Sequence, residues 1–171
     1  MKKRDNMFPI QQVQDDRGFS LAELIVIIVV MGILAAAAGV AINSVNQNSR
    51  ISVVANNALS DMRYVQEIAM AERKDVNFTV STGTNTYSAA YKSTGLYLKS
   101  SQDISKNMTV TLNSGDSKGV TMSAGYSGSI TFDSDGIPYQ GASELTAPLT
   151  LMTLNGKMSL VLLSSGFAQI E

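Results

Sequence analysis

The 171 residues include no cysteine, no histidine and no tryptophan, and only three prolines. Without cysteine there is no disulfide, no thiolate metal site and no thiol for a lipid to acylate. Without histidine the Ser-His and Cys-His nucleophilic pairs and the usual zinc sites are excluded together. Charge is sparse as well: 16% of residues are charged and the formal net charge is −1. Residues 1–18 hold four basic and three acidic side chains, so without them nine basic and eleven acidic residues remain, a net of −2. Such a surface is not suited to following a phosphate backbone, and nucleic acid is not expected as a partner. No enzyme is expected and no cofactor is implied.

What the chain does have is one long apolar run, 19–42. Its 24 residues suffice to cross the hydrocarbon core of a bilayer, about 30 Å, as a helix. Lys2, Lys3, Arg4 and Arg17 precede the run, and the first basic residue after it is Arg50. The positive-inside rule therefore puts the amino end in the cytoplasm and the remainder outside. One carboxylate, Glu23, interrupts the run near its cytoplasmic edge, where it costs less than at the bilayer centre and usually has a task. An ordinary signal peptide has a shorter core, although Ala35 to Ala38 could supply its small-residue cut. A plain signal anchor needs neither a Gly-Phe junction nor a glutamate, and a core helix apolar all round does not suit a domain of this size.

Helical periodicity continues past the run. Ile51, Val54, Ala55, Ala58, Met62, Val65, Ile68 and Ala69 fall at spacings of three and four and draw one apolar stripe. A helix from Phe19 to about Lys74 is predicted, with a bend or weak turn admitted over 43–49. Arg73 and Lys74 suit the last turn, where they meet the negative end of the dipole. From Val76 the pattern changes to short strands and turns. Strands are predicted over 76–80, 86–91, 95–99 (weaker), 107–112, 120–122, 129–132, 149–154, 157–163 and 167–170. Asn155-Gly156 between apolar strands predicts a type I′ hairpin. Segments 100–106, 114–119 and 138–148 read as loops. The fold class is α+β: a long amino-terminal helix packed by its amphipathic half on an antiparallel sheet. The expected divisions are a leader 1–18, a membrane or filament-core helix 19–42, an amphipathic helix 43–75 and a β-rich head 76–171.

Arg17-Gly18-Phe19, Glu23 and the apolar run together resemble the leader of type IV prepilins. The resemblance implies that a prepilin peptidase cuts after Gly18 and methylates the new amine on Phe19. It implies that Glu23, at the fifth mature position, meets the amine of a neighbouring subunit and sets the axial register. A glutamate that only snorkels to the headgroups is the simpler alternative. Gly32 and Gly39 lie within the apolar run, each weakening a helix by up to about 1 kcal/mol against alanine, and suit either a loosened helix or close helix packing. Ile130-Thr131-Phe132-Asp133 with Gly136, Leu149-Thr150-Leu151, Asn155-Gly156 and Ser165-Gly166 extend the likeness to the GspH/FimT-like minor pilins and pseudopilins. The implied role is a structural subunit of a type II secretion pseudopilus or of a type IV pilus. Its partners would be the peptidase, other pilins or pseudopilins, and the inner membrane, with the head in the periplasm. A pilus-tip subunit that holds DNA or a surface ligand is the alternative, although no basic residue follows Lys157.

Asp133-Ser134-Asp135-Gly136 is the one candidate metal segment. Asp133, Asp135 and Glu144 fall near the positions of calcium-loop ligands. Gly136, however, is two positions early, and Ile137 and Pro138 stand where a ligand and the loop glycine belong. A tight turn is the preferred reading, and the two aspartates as a catalytic pair have no cleft to support them.

Overall fold

The structure, a computed structural model, describes residues 19–171, the side chains of 38–43 excepted. The expected leader and Gly18 lie outside the described residues. One α-helix, α1, runs Leu21–Glu72. Ten short strands follow: β1 Val76–Ser81, β2 Thr86–Tyr91, β3 Thr109–Thr111, β4 Met122–Ala124, β5 Gly128–Phe132, β6 Pro138–Gln140, β7 Ser143–Glu144, β8 Leu149–Leu154, β9 Met158–Leu162 and β10 Ala168–Ile170. The chain divides into two compact units, Met1–Ile42 and Asn43–Glu171, and α1 supplies residues to both.

In the second unit, the head, the predicted stripe is the buried face of α1. Ile51, Val54, Ala55, Ala58, Met62, Val65 and Ala69 are buried, and Ile68 is partly so. The strands divide into two antiparallel sheets, ordered β3-β2-β1-β5-β6-β7 and β10-β9-β8-β4. Periodicity does not specify this division, because it marks strands without naming their neighbours. On β1 burial alternates strictly, with Val76, Phe78 and Val80 inward. Phe78 stacks on Tyr87 of β2 with ring centroids 5.5 Å apart. Both sheets and the helix stripe join in one apolar cluster. Burying each large side chain in it contributes about 1.5–3 kcal/mol.

The Asn155-Gly156 turn has the geometry predicted for it: φ is +50° and +67°, and the Lys157 amide donates to the Leu154 carbonyl at 2.9 Å. Three expectations are corrected. The segment 138–148 is not all loop, since β6 and β7 form a small hairpin on the β5 edge. Pro138 opens that strand, a position where a proline costs no ladder bond. The weak strand over 95–99 reduces to isolated bridges, Ala90 to Tyr97 and Lys99 to Asn107. The helix also ends at Glu72, two residues before the expected Lys74, with no basic residue in its last turn. Arg73 takes a left-handed conformation, φ +53°, and the Lys74 amide donates to the Ala69 carbonyl at 3.1 Å. That bond is the six-to-one link of a Schellman cap. Glu72 at the negative end of the helix is offset by Lys74 Nζ at 2.9 Å and by the Tyr91 hydroxyl at 2.8 Å.

Candidate assembly site

At the start of α1 the sequence Ser20-Leu21-Ala22-Glu23 closes on itself. The Glu23 amide donates to Ser20 Oγ at 3.2 Å, and the Ser20 amide donates to Glu23 Oε2 at 2.9 Å. The Leu24 amide reaches the Ser20 carbonyl at 3.2 Å, so Ser20 is the N-cap and Glu23 the third helical residue. This reciprocal pair is a capping box, which satisfies two of the amides that a helix start leaves unbonded. The carboxylate of Glu23 is thereby held against its own chain, one residue from Phe19. Reading the run for hydropathy misses Ser20; the signal that finds it is the Ser-x-x-Glu spacing.

Beyond this box the described side chains of the first unit are apolar on every side. Leu24 through Val30 are each 43–60% exposed, as are Met31, Ile33 and Leu34 at 63–66%. Seven successive residues cover two helical turns, so no single face could be packed to hide them. A Cβ added to Gly32 would meet nothing within 4 Å. Among the described residues no helix is long and apolar enough to cross a membrane, and the side chains described in this run end at residue 37.

Asp133 and Asp135 lie in the turn between β5 and β6. Asp133 Oδ1 accepts the amides of Asp135 at 3.0 Å and Ile137 at 2.8 Å. Gly136 follows with φ +80°. One aspartate oxygen is thus committed to shaping the turn, as an Asx motif does. Glu144 stands on β7 opposite Tyr139. Among the described residues no three acidic or other ligating side chains are grouped to hold a metal ion.

The motif glycines of the head meet at the helix. Gln66 Nε2 donates to the Gly136 carbonyl at 2.9 Å. A Cβ on Gly166, whose φ is +82°, would lie 2.5 Å from Gln66 Nε2 and 2.8 Å from the Gly136 carbonyl oxygen. Gly136 and Gly166 are therefore demanded by two turns closing on one side chain of α1.

A second feature escapes hydropathy reading. Asp61 is 4% exposed on the otherwise apolar helix stripe. Its Oδ2 accepts the Tyr87 hydroxyl at 2.9 Å and its Oδ1 accepts the Ser101 hydroxyl at 2.8 Å. Burial, and then the adjacent Asp61 carboxylate, push the Tyr87 phenol well above its ordinary range. Beside them is a cavity of about 130 Å³, lined in part by Val54, Asn57 and Leu112. The trio ties the 100–106 segment to the helix.

Two comparisons bear on the chain. The model of the prokaryotic N-terminal methylation motif matches residues 14–39. The fold is similar to that of the minor pseudopilin EpsH from the Type 2 Secretion System of Vibrio cholerae, with a TM-score of 0.51 at 13% identity. That likeness covers 71% of this chain and 96% of the other. No curated protein matches in sequence. The chain thus carries a prepilin-type methylation motif ahead of a pilin-like α+β fold.

Proposed function

We propose that the protein is a minor pilin-like subunit that docks into a pseudopilus or pilus through its first helix, with Glu23 as the assembly residue and Gly18-Phe19 as the processing junction. The observation that carries this reading is an apolar helix exposed all round whose first turn holds one carboxylate in a capping box. Exposed surface of that kind has to be covered by lipid or by neighbouring helices. Its coincidence with the methylation motif over 14–39 favours both in turn, membrane first and filament afterwards. The full run of 24 residues has the length for the first state.

Processing at Gly18 would leave an ammonium on Phe19. In the apolar interior of a filament that cation needs a carboxylate, and burying either charge alone is costly. Glu23 supplies it to a neighbour, and a subunit out of register leaves the pair unmade. The head then presents its sheets and turns on the periplasmic side. The likeness of the fold to a minor pseudopilin of a type II secretion system favours a secretion pseudopilus over a type IV pilus.

The test is site-specific cross-linking to other subunits in membranes. Glu23→Ala is expected to insert and be cut, because losing a charge makes the run more apolar. Its docking is expected to fall by about 100-fold or more, the equivalent of roughly 3–5 kcal/mol for one buried charge left unpaired. Cross-linking at the wild-type level would remove Glu23 from the assembly role.

A further inference from the structure

We infer that one corner of the head is a docking surface for anionic phospholipid headgroups. Three separate segments that each carry an exposed cation are joined there: α1 with Arg50, the loop before β4 with Lys118, and the tip of the β8–β9 hairpin with Lys157. Arg50 Nη1 donates to the Lys118 carbonyl at 3.2 Å, and Lys157 Nζ donates to Asn48 Oδ1 at 2.7 Å. The segments that carry them brace one another. Asn155 Nδ2 donates to the Gly119 carbonyl at 2.9 Å, its Oδ1 accepts the Thr121 amide at 2.7 Å, and the Gly119 amide reaches Asn113 Oδ1 at 2.9 Å. The cations are therefore carried on a fixed frame and not on loose loops.

The corner carries three of the six head cations that pair with no carboxylate among the described residues, the others being Arg63, Arg73 and Lys99. Lys74, Lys92 and Lys106 each pair with a carboxylate, and Arg63 lies over the Phe167 ring. Among the described residues none of Arg50, Lys118 and Lys157 pairs with a carboxylate. An open groove of about 680 Å³ is lined by Ser44, Asn46, Gln47, Arg50, Lys118 and Gly119, with no acidic and no apolar side chain among them. Asp116, two residues before Lys118, is the acidic group nearest in sequence. A protein contact is centred on large apolar or aromatic anchors, and none of the side chains lining the groove is one. A headgroup phosphate needs only charge and N–H or O–H donors, which it has.

Position supplies the source of the phosphate, and here the inference rests on the membrane reading of the apolar run. Arg50 follows the last residue of the apolar run, Ile42, by only eight residues, so the chain itself tethers this corner within about 28 Å of the bilayer surface. The headgroup layer is roughly 5–7 Å deep on each side of the hydrocarbon core, and a tether of that length lets the cations reach it. Docked there, the unassembled subunit would have its head steadied on the outer leaflet, and leaving for a filament would require giving up these contacts.

The absence of cysteine makes the test clean. The full-length chain carrying Ser49→Cys, labelled with a fluorophore, is reconstituted into phosphatidylcholine vesicles, or into the same lipid mixed with phosphatidylglycerol. A trace of headgroup-quencher lipid reports docking, and resistance to alkaline extraction reports insertion. Quenching is expected to be stronger in the anionic vesicles and to fall to the neutral level at high salt. In the combined Arg50→Gln, Lys118→Gln, Lys157→Gln variant the balance of docked over undocked heads should drop on the order of 100-fold, about fivefold per cation. Lys118→Glu alone, at an exposed site, should show a loss in the same direction with the near-ultraviolet dichroism of the head unchanged. Equal quenching in both lipids by a chain that resists extraction overturns the inference and leaves the membrane reading standing. Extraction from both overturns that reading and this inference with it. Reversal by millimolar inorganic phosphate, but not by chloride of equal ionic strength, would make the corner a free-anion site and contradict the lipid assignment. Quenching that arises only when other subunits share the vesicle would contradict it too.

Discussion

Tyr87→Phe removes one oxygen from the centre of the head and leaves everything else in place. The ring that stacks on Phe78 is kept, so the 5.5 Å contact and the burial of both rings should survive. What is lost is the hydroxyl that donates to Asp61 Oδ2, on a side chain just 4% exposed. A hydrogen bond to a charged acceptor contributes about 1.5–3 kcal/mol, and a buried acceptor left unsatisfied costs a similar amount. We expect the head to lose about 2 kcal/mol, or roughly 4–8 °C in Tm for a unit of this size. Ser101→Ala removes the other donor, at a less buried position, and should cost about 1 kcal/mol. The sharper check is a double-mutant cycle. With Asp61→Ala already present, Tyr87→Phe should be nearly neutral, because no acceptor remains to be stranded. Thermal unfolding of the chain in detergent, followed by near-ultraviolet dichroism of its tyrosines, measures all four corners of the cycle. A Tyr87→Phe effect below about 0.5 kcal/mol, or additivity with Asp61→Ala, would show that Asp61 does not depend on this donor.

Other outcomes follow from the same geometry. Arg73→Gly relieves a left-handed residue at the helix cap and should stabilise the head by up to about 1 kcal/mol, read as a rise in Tm. Gly166→Ala combines a positive φ with a close approach to the Gly136 carbonyl and should destabilise by about 1–3 kcal/mol, read the same way. Burial, and then the bond to Glu72, push the Tyr91 phenol up to about 12. The stability it lends is therefore complete below the ordinary tyrosine range and is lost as pH rises towards 12, a loss that Tyr91→Phe should abolish. The Ser105 hydroxyl, then Lys106, hold Asp103 down at about 2, so the ordering of 103–106 should persist through the ordinary carboxylate range and loosen only as pH falls towards 2, as amide exchange would report. Glu23→Gln should keep the capping box and the helix start while losing the charge, so it should dock as poorly as Glu23→Ala while fraying less at Ser20 in amide exchange.

How much of this was legible in the sequence depends on whether the signal was local. The helix stripe from Ile51 to Ala69 was readable because burial follows a 3.6-residue period along one element. Asn155-Gly156 was readable because the two left-handed positions of its turn name their own residues. The β6–β7 hairpin was not, since Pro138 and Gly141 signal a loop until the β5 edge is known to be waiting for a partner. Asp61 broke the stripe in plain view, but its partners are 26 and 40 residues away, and no periodicity points to them. The Arg50, Lys118 and Lys157 corner is long-range in the same way. At the candidate assembly site, hydropathy and the Gly18-Phe19 junction drew attention to Glu23. Ser20 was overlooked because a capping box is read by spacing and not by hydropathy.

In the proposed function, residues 1–18 are a leader removed to free an amine opposite Glu23. The intact mass of the chain from membranes containing a prepilin peptidase tests it most directly. The expected masses are those of a chain that begins at Phe19 and carries one added methyl group, and of an uncut full-length chain for Gly18→Leu. A wild-type chain of full length, or one cut after Ala35 to Ala38, would contradict it.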